Sequence, residues 1–175
     1  MAKPNGTYLA VCSGEFTNYA ILFWGLMFVL SKFVELGDTA FIILRKKKLI
    51  LLHWFHHVAT FIACWVTSES VPAASRFFFV NTFVHSFMYS YYALKALKVK
   101  IPKRVSMALT TIQLVQFLFG AYLLVTVLIA LAQGQPCRLN QRLIYVAGFL
   151  VTTFLTLFGN FFVTTYLRRS KSKTT

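Results

Sequence analysis

Residues 105–132 read VSMALTTIQLVQFLFGAYLLVTVLIALA, an apolar run without a single charged side chain. About 20 consecutive apolar residues are enough to cross the hydrocarbon core of a bilayer as a helix. The polar members Thr110, Gln113 and Gln116 recur at every third position, which sets them along one helical face. Working outward, four more apolar runs appear: about Phe16 to Leu44, Leu49 to Thr67, Arg76 to Leu94 and Leu143 to Leu167. They are separated by RKKK (45–48), SESVPAAS (68–75), KALKVKIPKR (95–104) and QGQPCRLNQR (133–142), and the chain closes with RRSKSKTT (168–175). The expectation is an all-α polytopic membrane protein of about five transmembrane helices.

Composition agrees. Of 175 residues, 58% are hydrophobic and 13% charged, and the mean hydropathy is +0.66. A net charge of +14 would suit a nucleic-acid binder, but the basic residues sit in short clusters between apolar runs, so no nucleic acid is expected. Such clusters belong to loops facing the cytosol, where they meet anionic lipid or phosphorylated substrates. Cys12, Cys64 and Cys137 have no C-x-x-C spacing and suggest neither a disulfide framework nor a zinc site. A bridge between Cys12 and Cys137 is open, since both fall on the same predicted side. No cleaved signal peptide is expected at the N-terminus.

Orientation follows from counting Lys and Arg. One side receives 13 of them, in residues 45–48, the 95–104 connector and the tail; the other receives Lys3, Arg76, Arg138 and Arg142. The richer side is predicted to be cytosolic. This gives a lumenal N-terminal segment (1–15), a membrane domain (16–167) and a cytosolic basic tail (168–175). Asn5-Gly6-Thr7 is a glycosylation sequon on the lumenal side. Lys171 and Lys173 stand fifth and third from the end, a spacing similar to the dilysine signal of endoplasmic-reticulum membrane proteins, or simply a basic juxtamembrane tail.

Ionisable residues inside a span are costly and therefore suggest function. Lys32, Glu35 and Asp38 share one helical face, as do His53, His56 and His57 on the second run. Asn81 and His85 stand one turn apart on the third, followed by Tyr89 and Tyr92. Each stripe alone could be interhelical glue, and Lys32 and Glu35 could be an ion pair with Lys32 snorkelling to the interface. Stripes on four consecutive runs imply one shared polar interior.

H-x-x-H-H is also the spacing of membrane di-iron desaturases and hydroxylases. Four histidines and two intramembrane carboxylates are a thin ligand supply for two irons, although one zinc on three histidines is arithmetically possible. The alternative uses imidazole directly, as base or nucleophile, in an enclosure that excludes water and holds an alkyl chain.

KFVELGDT (32–39), HWFHH (53–57), NTFVHSFMYSYY (81–92) and TTIQLVQF (110–117) occur in that order. Together they resemble the ELO family of fatty acid elongases, over roughly residues 16 to 170. The resemblance implies a helical bundle or barrel around a central acyl cavity. It further implies a 3-ketoacyl-CoA synthase that condenses an acyl-CoA with malonyl-CoA, needs no cofactor and resides in the endoplasmic-reticulum membrane. Its implied partners are acyl-CoA, malonyl-CoA, membrane lipid, other enzymes of the elongation cycle and further copies of itself. His53, His56, His57, His85, Asn81, Asp38 and Gln113 are the expected catalytic residues, with His56 as nucleophile and Asp38 fixing an imidazole tautomer. Lys32, Glu35, Tyr89, Tyr92, Gln116, Arg45, Lys46 and Lys47 are expected to bind substrate. Lys48, five residues before His53, makes the sequence similar to members acting on saturated and monounsaturated chains. Family members carry two further spans ahead of the KFVELGDT segment, so part of the enclosure is expected to lie outside this chain. The competing readings are a non-catalytic fragment or scaffold of an elongase complex, and a histidine-metal desaturase or hydroxylase.

Overall fold

The computed structural model describes residues 6–8, 11–12, 18–44, 51–68, 71–137 and 139–168. Arg45, Lys46, Lys47, Asn5 and the tail lysines Lys171 and Lys173 lie outside the described residues. Every described element is helical: the single turn α1 (Gly6–Tyr8), then α2 (Tyr19–Leu44), α3 (Leu51–Val66), α4 (Val71–Ala96), α5 (Lys103–Ala132) and α6 (Gln141–Phe162). A π-helical turn, Val163–Arg168, prolongs α6.

Polarity is inverted relative to a water-soluble bundle. Lys32, Glu35, His56, His57, Asn81, His85 and Gln116 are buried, whereas Phe33, Val34, Phe79, Tyr145 and Phe149 are exposed. Apolar side chains face outward where lipid is the solvent, and polar groups must find partners among the helices. Threonines solve part of that problem locally. Thr60, Thr67, Thr110 and Thr126 each donate to the carbonyl one turn earlier, so their hydroxyls need no neighbouring helix.

Length and hydropathy single out three spans: Tyr19–Ala40 within α2, Lys103–Ala132, and Gln141–Arg168. The sequence suggests five. The other two fall short for physical reasons. At 16 residues, α3 is about 24 Å long, less than the roughly 30 Å hydrocarbon core. In α4, Arg76, Asn81, His85 and a run of Ser and Tyr dilute the apolar content. These are the helices that carry the histidines, and both are built into the bundle.

Packing runs in a circuit. Helix α2 lies against α3 and α4, α4 against α5, α5 against α6, and α6 returns to α3. The five long helices thus close a ring among themselves. Phe28 and Val29 pack with Cys64 and Phe78 at the α2–α3–α4 side. Phe117, Phe154 and Phe158 join α3, α5 and α6 on the opposite side. At one end Cys12 and Cys137 form a disulfide, and Val11, Cys12 and Val127 pack together beside it. The bridge left open by the sequence is therefore made, and it ties residues 11–12 to the α5–α6 loop.

Turn chemistry sets the helix ends. Gly134, at φ 69°, lets Gln135 N–H reach the Ala130 carbonyl and so ends α5. The same geometry ends α4, where Val99 N–H bonds to the Leu94 carbonyl, but the left-handed residue there is Lys98, at φ 61°. Asn140 caps α6 by accepting from the Arg142 N–H.

Candidate active site

The face of α2 that carries Lys32, Glu35 and Asp38 turns inward. Lys32 Nζ donates to Glu35 Oε1 at 2.6 Å and to Asn81 Oδ1 of α4 at 2.8 Å, and it lies 4.5 Å from the centre of the Phe28 ring. Only 3% of Lys32 is exposed, so the ammonium does not snorkel; it is enclosed by its partners. A charge so buried persists only where another charge and hydrogen bonds compensate it.

Glu35 is the hub. Besides Lys32 it faces His57 Nδ1 of α3, 3.8 Å from Oε2, and His85 Nδ1 of α4, 3.7 Å from Oε1. Neither Nδ1, nor Oε2, has a hydrogen-bond partner among the described residues. The attraction is therefore electrostatic, and a carboxylate so placed favours the tautomer with the proton on Nδ1. Asp38, expected to fix an imidazole, instead accepts from the Tyr89 hydroxyl at 2.8 Å. Glu35, one turn earlier on α2, is the carboxylate that faces His57 and His85.

The histidines of α3 have distinct surroundings. His53 is half-buried, with its ring centre 4.5 Å from that of His57, and its Nε2 has no partner among the described residues. His56 is buried between two environments. On one side His57 and His85 stand at ring distances of 5.3 and 6.1 Å; on the other Phe154, Phe158 and Phe117 stand at 4.8, 5.9 and 6.4 Å. Thr60 donates to the carbonyls of His56 and His57 from one turn on.

A cavity of about 160 Å³ opens beside His56 and is lined by all five long helices. Lys32, His56, Asn81 and Gln116 form its polar end. Beyond them the lining is apolar, through Phe77, Gly120, Leu124 and Leu150 to Val127, Leu139 and Val11 near the disulfide. Gln116 is buried and its Oε1 is unpartnered among the described residues. In the opposite direction Glu35, Asp38, Tyr89 and Lys95 mark a polar track along α2 and α4 toward the basic connector, where Lys95 lies over the Tyr91 ring.

Not every candidate joins this centre. Gln113 donates to Met88 Sδ at 3.2 Å and is not directed at an imidazole. Tyr92 is exposed and meets Tyr89 only ring to ring. Thr110 belongs to a separate cluster with Ser106 and the Tyr166 hydroxyl, at the end of the bundle where α5 begins and α6 closes. Among the described residues no three His, Cys, Asp or Glu side chains converge as a set of metal ligands. Sequence reasoning missed the three phenylalanines around His56. Phe154 and Phe158 sit one turn apart on α6, but nothing in their spacing distinguishes them from lipid-facing rings.

Comparison with known proteins bears on this arrangement. The profile described as ELO: GNS1/SUR4 family matches residues 1–174. Putative fatty acid elongase 3 of Caenorhabditis elegans is 37% identical over 174 residues, covering 99% of this chain and 54% of the relative. Very long chain fatty acid elongase 3 of Homo sapiens is 40% identical over 172 residues, covering 97% and 63%. Very long chain fatty acid elongase 6 of Drosophila melanogaster is 41% identical over 148 residues, covering 83% and 47%. The chain thus spans about half to two thirds of the length of these relatives. No solved structure gives a significant match. With a profile match along nearly its whole length and a histidine-lined centre inside a ring of helices, the chain belongs to the ELO (GNS1/SUR4) family.

Proposed function

We propose that this chain carries the condensing centre of a fatty acid elongase. A long-chain saturated or monounsaturated acyl-CoA reacts with malonyl-CoA to give a 3-oxoacyl-CoA, carbon dioxide and free CoA. The observation that carries the reading is the position of His56, at the junction between a histidine–carboxylate cluster and an apolar cavity. An acyl thioester needs both: a nucleophile at its carbonyl and a dry channel for its tail.

The route is covalent. His56, in its neutral form, attacks the acyl thioester carbonyl; the C–S bond breaks, CoA leaves as the thiol after taking the imidazole proton, and an acyl-imidazole remains. Malonyl-CoA then enters, loses carbon dioxide, and its enolate carbon attacks the acyl carbonyl. The new carbon–carbon bond forms as the imidazole leaves, and the imidazole takes up one proton from solvent, replacing the one that departed with CoA. Asn81, Gln116 and the Lys32 ammonium are the donors near enough to the cavity to stabilise the oxyanion of either step. The Glu35 carboxylate lies beside Nδ1 of both His57 and His85 and favours the tautomer that leaves their Nε2 atoms as acceptors. Imidazole and amide chemistry suffice here, and no resident cofactor is invoked.

The track through Asp38 and Tyr89 toward residues 95–104, with Arg45, Lys46 and Lys47, would receive the CoA phosphates from the cytosol. In this orientation the Cys12–Cys137 bridge faces the oxidising lumen of the endoplasmic reticulum, which suits disulfide formation. Other enzymes of the elongation cycle, and further copies of the chain, are the partners this placement suggests. Incorporation of radiolabelled malonyl-CoA into acyl-CoA by membranes containing the chain tests the reading. His56→Ala should abolish incorporation; full activity in that variant would refute the role given to His56. Inactivity of the chain together with activation of another elongase would favour a scaffold.

A further inference from the structure

His56 turns one side to the other imidazoles and the opposite side to carbon alone. On that second side Phe154 and Phe158 of α6 and Phe117 of α5 stand with their ring centres 4.8, 5.9 and 6.4 Å from the imidazole. The rings also meet one another, Phe117 lying 5.4 Å from Phe154 and 5.0 Å from Phe158. All three are buried, and Leu52, Phe55, Leu114 and Leu155, themselves half-buried, pack against them. An apolar layer backed by a second one thus covers this side of His56. Phe117 and Phe154 line the cavity. Two turns from Phe117 on α5 and from Phe158 on α6, the hydroxyls of Thr110, Ser106 and Tyr166 cluster at the end of the bundle. The phenylalanines therefore stand between that polar cluster and His56, and nothing in the bond-making steps uses them.

We propose that Phe117, Phe154 and Phe158 form a dry wall that keeps water from the acyl group on His56 and reserves that group for the malonyl-derived carbon, an inference that rests on the elongase reading above. An acyl-imidazole reacts with either nucleophile. When water adds to the acyl carbon, the carbon–nitrogen bond breaks, the imidazole keeps one proton of the water and a free fatty acid leaves. The net reaction is then that of a thioesterase. A water inside a protein needs about two to four polar partners, and three contacting phenyl rings supply none. Excluding water from a reactive intermediate suppresses this side reaction without touching the bond-making steps. The wall thus decides which nucleophile arrives.

Phe154→Ser and Phe154→Ala test this as a matched pair. Each removes the ring and leaves a hole of nearly the same size, so each loses similar packing. Only serine brings a hydroxyl that, with the His56 imidazole, can hold a water; the hole left by alanine is apolar and stays dry. Purified wild type and both variants receive radiolabelled palmitoyl-CoA with malonyl-CoA, and free palmitic acid and 3-oxoacyl-CoA are measured in the same reaction. The ratio of acid to condensation product should rise at least about tenfold in Phe154→Ser relative to Phe154→Ala. Adding His56→Ala to Phe154→Ser should abolish the acid. An equal ratio in the two variants, or acid that survives His56→Ala, overturns the wall and leaves the elongase reading intact. So does a Phe154→Ser protein that makes neither product where Phe154→Ala condenses. If both Phe154 variants are inactive, the same comparison of Phe158→Ser with Phe158→Ala decides. A wild type that neither condenses nor releases CoA rejects the elongase reading, and the wall falls with it.

Discussion

Glu35 of α2 faces His85 of α4 across the bundle, its Oε1 3.7 Å from the imidazole Nδ1, while the same oxygen accepts from Lys32. One carboxylate thereby serves an ammonium and, through its other oxygen, the Nδ1 of His57. Glu35→Gln keeps the shape and removes the charge. Condensation should fall by more than about tenfold, equivalent to about 1.4 kcal/mol of barrier, and stability should fall as well, because the buried Lys32 loses its counter-charge. Single-turnover rates against thermal stability of the same preparation separate the two; equal rates would remove Glu35 from the orientation of the imidazoles.

Lys32 is the more structural half of the pair. Lys32→Met leaves Glu35 buried without its cation, and breaking a buried pair from one side costs about 3–5 kcal/mol. Adding Glu35→Leu removes the orphaned charge, so the double variant should regain much of that stability. A double-mutant cycle by thermal unfolding in detergent checks this. A double variant no more stable than Lys32→Met would show that packing, and not charge, is what the substitution disturbs.

Two glutamines one turn apart on α5 should behave differently. Gln113 is engaged by Met88, outside the imidazole cluster, whereas Gln116 is buried at the polar end of the cavity, its Oε1 without a partner among the described residues. Gln116→Leu is expected to reduce kcat/KM about tenfold or more, and Gln113→Leu less than about threefold. Steady-state assays of both variants test the difference, and the reverse order would contradict the placement.

Much of this centre is legible in one dimension. The i, i+3 and i+4 spacings of His53, His56 and His57 place them on one face of α3, and the same rule aligns Lys32 with Glu35 and Asn81 with His85. What periodicity cannot supply is depth. Glu35 and Asp38 share a stripe, yet only the register between α2 and its neighbours decides that Glu35 meets the imidazoles and Asp38 meets Tyr89. Nor does it supply pairing across the bundle. In the sequence Phe77 is one of three consecutive phenylalanines, and Gly120 is an isolated glycine in an apolar run; their contact exists only once α4 and α5 pack. Five apolar runs were visible, but the shortness of α3 and the polarity of α4 blur the line between a membrane span and the wall of an internal site.

Lys98 holds a left-handed conformation at the C-terminal end of α4. A non-glycine residue there carries a cost of about 1–2 kcal/mol that glycine avoids. Lys98→Gly should therefore stabilise the chain, net of the extra freedom of glycine when unfolded, by up to about 1 kcal/mol. A rise in melting temperature measures it; a fall would mean that the Lys98 side chain makes a compensating interaction.

The Cys12–Cys137 bridge closes a sequence separation of 125 residues. Its removal by Cys12→Ser should cost about 2–5 kcal/mol and lower the melting temperature. Mass spectrometry of unreduced peptides should find 12 joined to 137 and Cys64 as a free thiol, since Cys64 is buried and unbridged. A linkage involving Cys64 would contradict the fold at both ends of the cavity.

The central claim is that His56 carries the acyl group. Protein incubated with acyl-CoA alone, without malonyl-CoA, should release free CoA and show an acyl-sized mass increase on the peptide containing His56, absent in His56→Ala. CoA release with no adduct on that peptide, or an adduct that persists in His56→Ala, would contradict it.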